Sequence, residues 1–234
     1  MTTSRLKSRT KVTPLPRAKR GYAGLSSGEQ DLARRRRLLD TALELFTRQG
    51  YARTPIEQLC VESRVTSRYF YELFESREAL LRALFEEIID DARAAVIAAI
   101  AQPGLTAEAR ISQAVTAFIR SYVQDARRAR LCVVEAVGIS EGLEKRRREV
   151  IHEFASVIRG YADALAKASV IPKRNYHLFS VSMVGSINEL LVEWLTAARP
   201  PSIEAVTQEI QLQFRVMVLG GQALLNGSSR EAAR

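Results

Sequence analysis

The sequence predicts an all-α protein, and three observations support that prediction. Apolar residues recur at spacings of three and four from about Asp31 to about Leu225, which is the period of an amphipathic helix. β-Branched residues never alternate with polar ones over a useful length, so strand signals are absent. Glycine, proline and serine interrupt the helical pattern and divide it into about nine helices, of which three short ones precede residue 75.

Residues 1–30 are predicted to form a disordered basic arm. They contain prolines, a Gly/Ser cluster at residues 24–28 and seven cationic side chains: Arg5, Lys7, Arg9, Lys11, Arg17, Lys19 and Arg20. The arm lacks the apolar run of a secretory signal, and no apolar stretch in the chain is long enough to suggest a membrane span. Residues 227–234 are predicted to be a disordered tail.

The first predicted helix has one apolar face and ends at Gly50, a residue typical of helix C-termini. The face comprises Leu38, Leu39, Ala42, Leu45 and Phe46. The segment from Thr54 to Glu57 is a helix-start signal, because threonine can cap, proline suits the first position and glutamate completes a capping box. Thr66 and Ser76 can cap the next two helices. Two short helices joined by a tight turn and packed on a preceding helix predict a helix-turn-helix within residues 31–80.

The short helix that follows Thr66 carries three consecutive aromatic residues. A helical wheel places Phe70, Leu73 and Phe74 toward the core and puts Arg68 and Glu72 roughly opposite, with Tyr69 and Tyr71 at the flanks. One interpretation is an amphipathic helix whose tyrosines lie at its edges. The other is a surface that contacts DNA, in which tyrosine donates to phosphate and Ser67 and Arg68 reach base edges.

The distribution of charge favours the second interpretation. The net charge is +9, and residues 1–80 hold sixteen Lys/Arg against nine Asp/Glu, whereas residues 81–234 hold nineteen against seventeen. The excess therefore lies in the first third of the chain and indicates a polyanionic partner for that part. Charge alone does not separate DNA from RNA or anionic lipid.

The same segment resembles the N-terminal domain of TetR-family transcriptional regulators over about 45 residues in register. The residues that carry the resemblance are 38–46, Gly50, Tyr51, 54–59, 65–67, Phe70, Tyr71, Phe74 and 76–80. The resemblance implies an all-α homodimer with a three-helix DNA-binding domain and a helical C-terminal domain, here residues 81–226, which dimerises and usually binds a small effector. It also implies DNA contacts by Ser67, Arg68, Tyr69, Tyr71 and Glu72, with Thr54, Thr66 and Arg77 near phosphates.

Three positions depart from the family pattern. Arg64 occupies a turn position where the family usually has glycine, and a positive φ there would cost arginine on the order of 1 kcal/mol. Glu72 is unusual at a DNA-facing position and would either accept from a cytosine amino group or point away from phosphates. Leu73 would be either a core residue or a contact to a thymine methyl group.

A run of four arginines begins the first helix: Arg34, Arg35, Arg36 and Arg37. Cations at a helix N-terminus oppose the macrodipole, so helix stability does not explain the run. It is interpreted either as a phosphate-binding element that continues the arm or as a solvated basic face. A second run, Arg146 to Arg148, is interpreted as a solvated helix face.

The second half of the chain shows no catalytic or metal-binding pattern. Only His152 and His177 are present, and Cys60 and Cys132 are predicted to be small buried residues in a reducing cytoplasm. No nucleophile elbow, phosphate loop or dinucleotide fingerprint occurs. We therefore expect neither an enzyme nor a bound cofactor or metal.

Residues 176–198 are apolar almost all round, so a partner is needed to bury them. Pairing them with the amphipathic residues 202–225 across a two-fold axis predicts a homodimer through a four-helix interface. A candidate effector pocket is lined by Val134, Tyr161, Tyr176, Ser182 and Asn188, although these residues equally fit an ordinary core.

Together these features predict a cytoplasmic, homodimeric regulator that binds a palindromic operator on double-stranded DNA and leaves it when an effector binds. The alternative is a non-specific, nucleoid-type nucleic-acid binder without an effector.

Overall fold

The computed structural model describes residues 27–231, except for the side chains of residues 27, 107 and 227–231, and every regular element in that range is helical. The all-α prediction is therefore confirmed, and the described residues form nine α-helices and one π-helical turn. The helices are α1 (Ser27–Gln49), α2 (Ile56–Ser63), α3 (Ser67–Leu73), α4 (Arg77–Ile100), α5 (Ala107–Val123), α6 (Ala126–Arg130), α7 (Glu141–Lys167), α8 (His177–Thr196) and α9 (Ile203–Glu231).

The predicted arm and tail are partly wrong at their boundaries. Residues 27–30 lie in α1, whose first turn contains Glu29, an acidic residue that favours a helix N-terminus. Residues 227–231 continue α9 beyond the predicted end. Residues 1–26 and 232–234, which make up the rest of the predicted arm and tail, lie outside the described residues.

The first three helices pack around the predicted apolar face of α1. Leu38, Ala42, Leu45 and Phe46 have no exposed surface, and Phe70 of α3 is equally buried against them. Gly50 ends α1 with a φ of 90°, a conformation that glycine adopts without a steric penalty. The short helices α2 and α3 are thus held on α1 mainly by apolar burial, the dominant favourable contribution to folding.

The same hydrophobic cluster continues beyond the helix-turn-helix. It runs from α1 through α4 into the π-helical turn Leu131–Glu135 and on to Val150 of α7. A second cluster joins α5, α7, α8 and α9. Since α4 crosses the predicted boundary at residues 80 and 81 without a break, the N-terminal helices and the rest of the chain share one core.

Ion pairs also connect α1 and α4 to the α6 region. The Nη1 atom of Arg127 lies 2.6 Å from Glu44 of α1, and Arg128 lies 2.6 Å from Asp91 of α4.

Both cysteines are buried and free, as predicted, and burial raises the pKa of the Cys132 thiol to about 12. The thiol therefore stays protonated at neutral pH and packs as a small apolar group.

Helix α8 is the one described helix that is long and apolar enough to cross a membrane by length and composition. Only 28% of its most apolar window is buried, yet Leu191 has no exposed surface and packs in the second cluster. A core helix of a globular protein passes the same test of length and composition. Among the exposed residues of α8, Leu178 is the one large apolar side chain, whereas the other apolar residues of the helix are buried or half-buried. The prediction that a partner covers this helix therefore stays a prediction.

Candidate nucleic-acid interface

The turn between α2 and α3 passes through a left-handed residue. Arg64 has φ 55° and ψ 42°, and its backbone N–H donates to the carbonyls that end α2. This is the positive φ that the family's usual glycine would adopt freely, and a side chain is disfavoured there by roughly 1 kcal/mol.

Caps fix both ends of the segment that contains α3. The hydroxyl of Thr66 accepts from the backbone N–H of Tyr69, and the hydroxyl of Ser76 accepts from that of Ala79. Both caps satisfy N–H groups that would otherwise lack a partner at a helix start. The capping roles predicted for Thr66 and Ser76 are confirmed.

Four side chains form a continuous exposed face on α3. Ser67, Arg68, Tyr71 and Glu72 are all exposed, and their positions span about 140° of the helix circumference at 100° per residue. Phe70 projects from the opposite side and is fully buried. The ring of Tyr71 meets that of Phe70 edge to face, with 5.3 Å between centroids, and this contact orients an otherwise exposed aromatic group.

Arg68 and Glu72 form an ion pair along this face. The Arg68 Nε atom lies 2.9 Å from a Glu72 carboxylate oxygen, one helical turn away, and the Arg68 side chain is 86% exposed. The hydrogen bond and the negative charge of Glu72 raise the pKa of the Arg68 guanidinium above its usual value. Arg68 is thus charged, exposed and held along α3.

Tyr69 and the start of the arginine run contact each other. The guanidinium of Arg34 stacks 4.0 Å from the centre of the Tyr69 ring, and that of Arg35 lies 5.5 Å from the Phe74 ring. Cation–π contacts of this kind stabilise by about 0.5–1 kcal/mol at exposed sites. Tyr69 is half-buried and packs against α1. The DNA contact that the family resemblance implies for it stays a prediction.

The remaining arginines of the run are also held within the chain. Arg36 pairs with Asp40 at 2.7 Å and with Glu87 of α4 at 2.5 Å, and Arg37 donates to the carbonyl of Ser63 at 3.1 Å. These contacts hold α1 against α4 and the end of α2. They give the run a structural role that neither of the two interpretations from the sequence included.

Two residues expected near phosphates have internal partners instead. Thr54 has no exposed surface, and its hydroxyl donates to the Gly50 carbonyl at 2.9 Å, so its side chain is already occupied within the chain. Thr54 also does not cap α2, whose cap position is Pro55. Arg77 donates to the Thr54 carbonyl at 2.6 Å and stacks 4.2 Å from the Tyr51 ring, which ties the start of α4 to the residues before α2.

The predicted effector residues do not converge on one site. Tyr161 lines a cleft of about 750 Å³ between α5, α7 and α9. The other four residues do not line this cleft. Tyr176 is buried and donates to the Pro172 carbonyl, whereas Ser182 is exposed and donates to the Phe179 carbonyl. Val134 and Asn188 are half-buried elsewhere. Most lining residues come from α5 and α9, whose amphipathic patterns do not distinguish a cleft wall from a core face.

His152 and His177 stack with nearly parallel rings 5.8 Å apart, and both side chains are exposed. Within the part of the chain that the structure describes, no group of three or more His, Cys, Asp or Glu side chains is placed to hold a metal ion.

Comparisons with known proteins agree with the helix-turn-helix geometry. Residues 38–84 match the family model of the bacterial regulatory proteins of the tetR family. No curated protein matches the sequence.

Solved structures of similar fold are transcriptional regulators. A TetR-family regulator from Syntrophomonas wolfei has a TM-score of 0.69 at 16% identity, covering 81% of this chain and 97% of the other. A transcriptional regulator from Pseudomonas aeruginosa has a TM-score of 0.69 at 15% identity, covering 87% and 97%. The regulator FadR from Bacillus subtilis, in complex with stearoyl-CoA, has a TM-score of 0.65 at 15% identity, covering 78% and 97%. The resemblance to the TetR family is thus confirmed by sequence for residues 38–84 and by fold for most of the chain.

Proposed function

We propose that this chain, which has the fold of TetR-family transcriptional regulators, is a sequence-specific DNA-binding regulator that acts as a homodimer. The observation that carries the proposal is the exposed face of α3, on which Ser67, Arg68, Tyr71 and Glu72 stand together while Phe70 anchors the helix. An α-helix fits the major groove of B-DNA, where base edges distinguish all four base pairs. Residues 31–80 are proposed as the DNA-binding domain and residues 81–226 as the dimerisation and effector domain.

Three residues of the exposed face, and the cap residue Thr66 beside them, are proposed to contact or lie next to DNA. Arg68 is suited to bidentate donation to guanine, and Ser67 to donation or acceptance at a neighbouring base. The Tyr71 hydroxyl can donate to a phosphate oxygen. Thr66, exposed at the cap of α3, lies beside these groups.

The dimer is supported by apolar surface on α8 and α9. Leu178 of α8 is 79% exposed and Val216 of α9 is 58% exposed, on helices that contact each other through Ser186 and Gln213 at 2.9 Å. Exposed apolar side chains on two adjacent helices support an interface there. Two copies related by a two-fold axis would form a four-helix contact and place two α3 helices in successive major grooves, about 34–36 Å apart or a multiple of that.

Regulation by a small effector is proposed to reach the DNA-binding helices through α4. An apolar pocket of about 60 Å³ lies among α4, α5, α7, α8 and α9, and Val96 of α4 is part of its wall. Because α4 shares its core with α1 and α3, these helices are expected to move together. A ligand that stabilises one position of α4 would therefore change the distance between the two α3 helices of the dimer. The protein is proposed to act as a repressor that leaves its operator when the effector binds.

An acyl-CoA effector, as in the Bacillus subtilis FadR complex, is one candidate. Its phosphates need several cationic partners, and Arg215 is the sole basic residue among those lining the 750 Å³ cleft in the described part of the chain. The lining of the cleft therefore favours a different ligand class over acyl-CoA.

The proposal is tested by selecting bound duplexes from a random DNA pool with the full chain and footprinting the product at two salt concentrations. A specific dimer enriches a palindrome and protects two half-sites at both concentrations. A non-specific nucleic-acid binder, favoured by the net charge of +9, enriches no sequence and loses affinity uniformly with salt.

Two arginine variants sharpen this test. Arg68→Ala is expected to lose about 1–3 kcal/mol of discrimination at one base pair in each half-site. Arg199→Ala, at an exposed position in the connection between α8 and α9, removes the same charge away from α3 and is expected to leave discrimination unchanged. Equal effects of the two substitutions would overturn the role of α3.

A further inference from the structure

The cleft of about 750 Å³ is large enough to hold a small organic molecule. Its walls come from α5, from the second half of α7 and from one face of α9. Ligand sites in proteins typically have volumes of about 300–1,000 Å³ and combine apolar walls with a few polar groups. The cleft has both features, since apolar residues such as Leu165 and Val218 alternate with amides and hydroxyls.

The cleft adjoins the apolar pocket of about 60 Å³, which is called the inner pocket below. Ile111, Val115 and Phe214 line both spaces and form the boundary between them. Every residue that lines the inner pocket has an apolar side chain. Such a space excludes water and accepts the end of a hydrocarbon chain.

The charged groups of the outer cleft cancel each other. Glu108 of α5 and Arg215 of α9 form an ion pair at 3.2 Å, and both side chains are largely exposed at the entrance. They are the two charged residues among the described residues that line the cleft, so its lining has no net charge. A carboxylate or phosphate that took Arg215 as its partner would compete with Glu108 and would lie beside that negative charge.

The other polar groups of the cleft are neutral hydrogen-bonding groups. Gln208 and Gln222 of α9 offer amides, and Tyr161 of α7 offers a hydroxyl. Gln211 offers only its carbonyl oxygen, because its NH2 group donates to the Ser112 carbonyl and to the Thr116 hydroxyl. Burial, followed by the negative charge of Glu108, raises the pKa of Tyr161 above its usual value. The tyrosine therefore remains a neutral donor throughout the physiological pH range.

We propose that the cleft binds an uncharged amphiphile, with its hydroxyl, ester or amide head among the glutamines and Tyr161 and its hydrocarbon tail directed past Val115 and Phe214 into the inner pocket. This inference rests on the proposed function, because it names the chemical class of the effector. The tail contacts the wall that Val96 of α4 completes, which links occupancy of the cleft to the helix that follows α3.

The binding experiment uses Nile red, an uncharged fluorescent probe, with the full chain and three competitors that share one hydrocarbon chain: dodecanol, laurate and lauroyl-CoA. We expect dodecanol to displace Nile red at a concentration about tenfold lower than either charged competitor, a ratio that corresponds to about 1.4 kcal/mol. Stronger displacement by laurate or lauroyl-CoA, or no displacement by any competitor, would overturn the proposal.

Two charge variants test whether the Glu108–Arg215 ion pair selects an uncharged ligand or whether hydrophobic binding alone determines affinity. Glu108→Gln releases Arg215 and gives the cleft a net positive charge, so laurate is expected to gain about tenfold in affinity relative to dodecanol. Arg215→Gln gives a net negative charge and should weaken laurate further. If neither ratio changes, the ion pair does not select the ligand and the assignment to an uncharged head fails.

A bulky substitution in the cleft wall tests whether the ligand binds in the cleft. Leu219→Trp adds bulk to a half-exposed wall position and should reduce Nile red binding at least several-fold, whereas Val137→Trp, exposed outside the cleft, should not. Equal effects of the two substitutions would place the amphiphile elsewhere.

DNA selection is scored separately, so specific DNA binding without amphiphile binding rejects this inference alone. Amphiphile binding without any selected DNA sequence rejects the proposed function.

Discussion

Ile171, in the connection between α7 and α8, lies so close to Gly221 of α9 that a Cβ atom on the glycine would be 2.5 Å from the Ile171 Cγ2 atom and 2.8 Å from its Cβ atom. Ile171 itself is almost completely buried. The close approach holds the second half of α9 against the end of α7, beside the cleft wall formed by Val218 and Leu219.

Gly221→Ala is expected to destabilise the protein by about 1–3 kcal/mol, because the new methyl group overlaps a branched side chain that cannot move aside. The measurement is the free energy of unfolding in urea. Gly160→Ala on α7 is the matched control, since no atom lies within 4 Å of the position that its methyl group would take, and alanine there should stabilise by about 0.5–1 kcal/mol. Equal stability of the two variants would show that Ile171 tolerates the methyl group.

Arg64→Gly is expected to stabilise the protein by about 1 kcal/mol, because Arg64 adopts a φ of 55° that glycine reaches without strain. A rise of about 2–4 °C in the melting temperature would report the gain. Arg64→Ala is the control, since it removes the same side chain but keeps the Cβ atom that causes the strain. A melting temperature that falls for Arg64→Gly, or rises equally for both variants, would contradict the prediction.

The sequence predicted the local features of the fold well because they depend on neighbouring residues. The apolar face of α1, the caps at Thr66 and Ser76 and the burial of Phe70 all follow from helical spacing and capping chemistry. The positive φ of Arg64 was expected from the glycine that its turn position usually holds.

Contacts between distant residues could not be predicted from the sequence. Periodicity places Tyr69 at the flank of α3, but its stacking under Arg34 depends on how α1 crosses α3. The pairing of Arg36 with Glu87, 51 residues away, equally depends on the packing of α1 against α4. The cleft was missed because its wall on α9 has the same pattern as a helix face that packs in a core.

Stability in acid is expected to depend on Glu153. Its carboxylate lies 2.6 Å from Arg93 of α4 and 2.7 Å from Arg146 of α7. Burial alone would raise the pKa of Glu153, but hydrogen bonds from Arg146 and Arg93 outweigh it and hold the pKa below its usual value of 4.5. A depressed folded-state pKa means that the contact stabilises above pH 4.5 and that this contribution disappears as the pH falls through the folded-state pKa.

Glu153→Gln should therefore reduce stability at neutral pH and flatten the fall in the urea midpoint below pH 4.5. Asp163→Asn, an exposed carboxylate further along α7, is the charge-matched control and should leave the slope unchanged. A variant with the same acid dependence as the unsubstituted protein would show that Glu153 does not contribute to it.

Glu72 is expected to limit non-specific DNA binding, because its carboxylate neutralises Arg68 and faces the same side of α3. In Glu72→Gln, Arg68 is free to contact a phosphate, so affinity for a random duplex should rise and the slope of log affinity against log salt should steepen by about 1. Fluorescence anisotropy at several salt concentrations measures both quantities. Glu204→Gln, exposed in the first turn of α9, makes the same charge change away from α3 and should leave the slope unaltered.

The proposed dimer is expected to dissociate when charge is placed on the exposed apolar face of α9. Val216→Glu puts a carboxylate where a second copy would exclude water, and an unpaired buried charge is strongly unfavourable. Sedimentation velocity should show a dimer for the unsubstituted chain and a monomer for the variant at the same concentration. Val137→Glu, a half-exposed position in the connection before α7, should remain dimeric. Because one protomer reaches one half-site, the Val216→Glu variant should also lose affinity for a palindrome while retaining affinity for a single half-site. If the Val216→Glu protein remains a dimer, the interface does not include this face of α9.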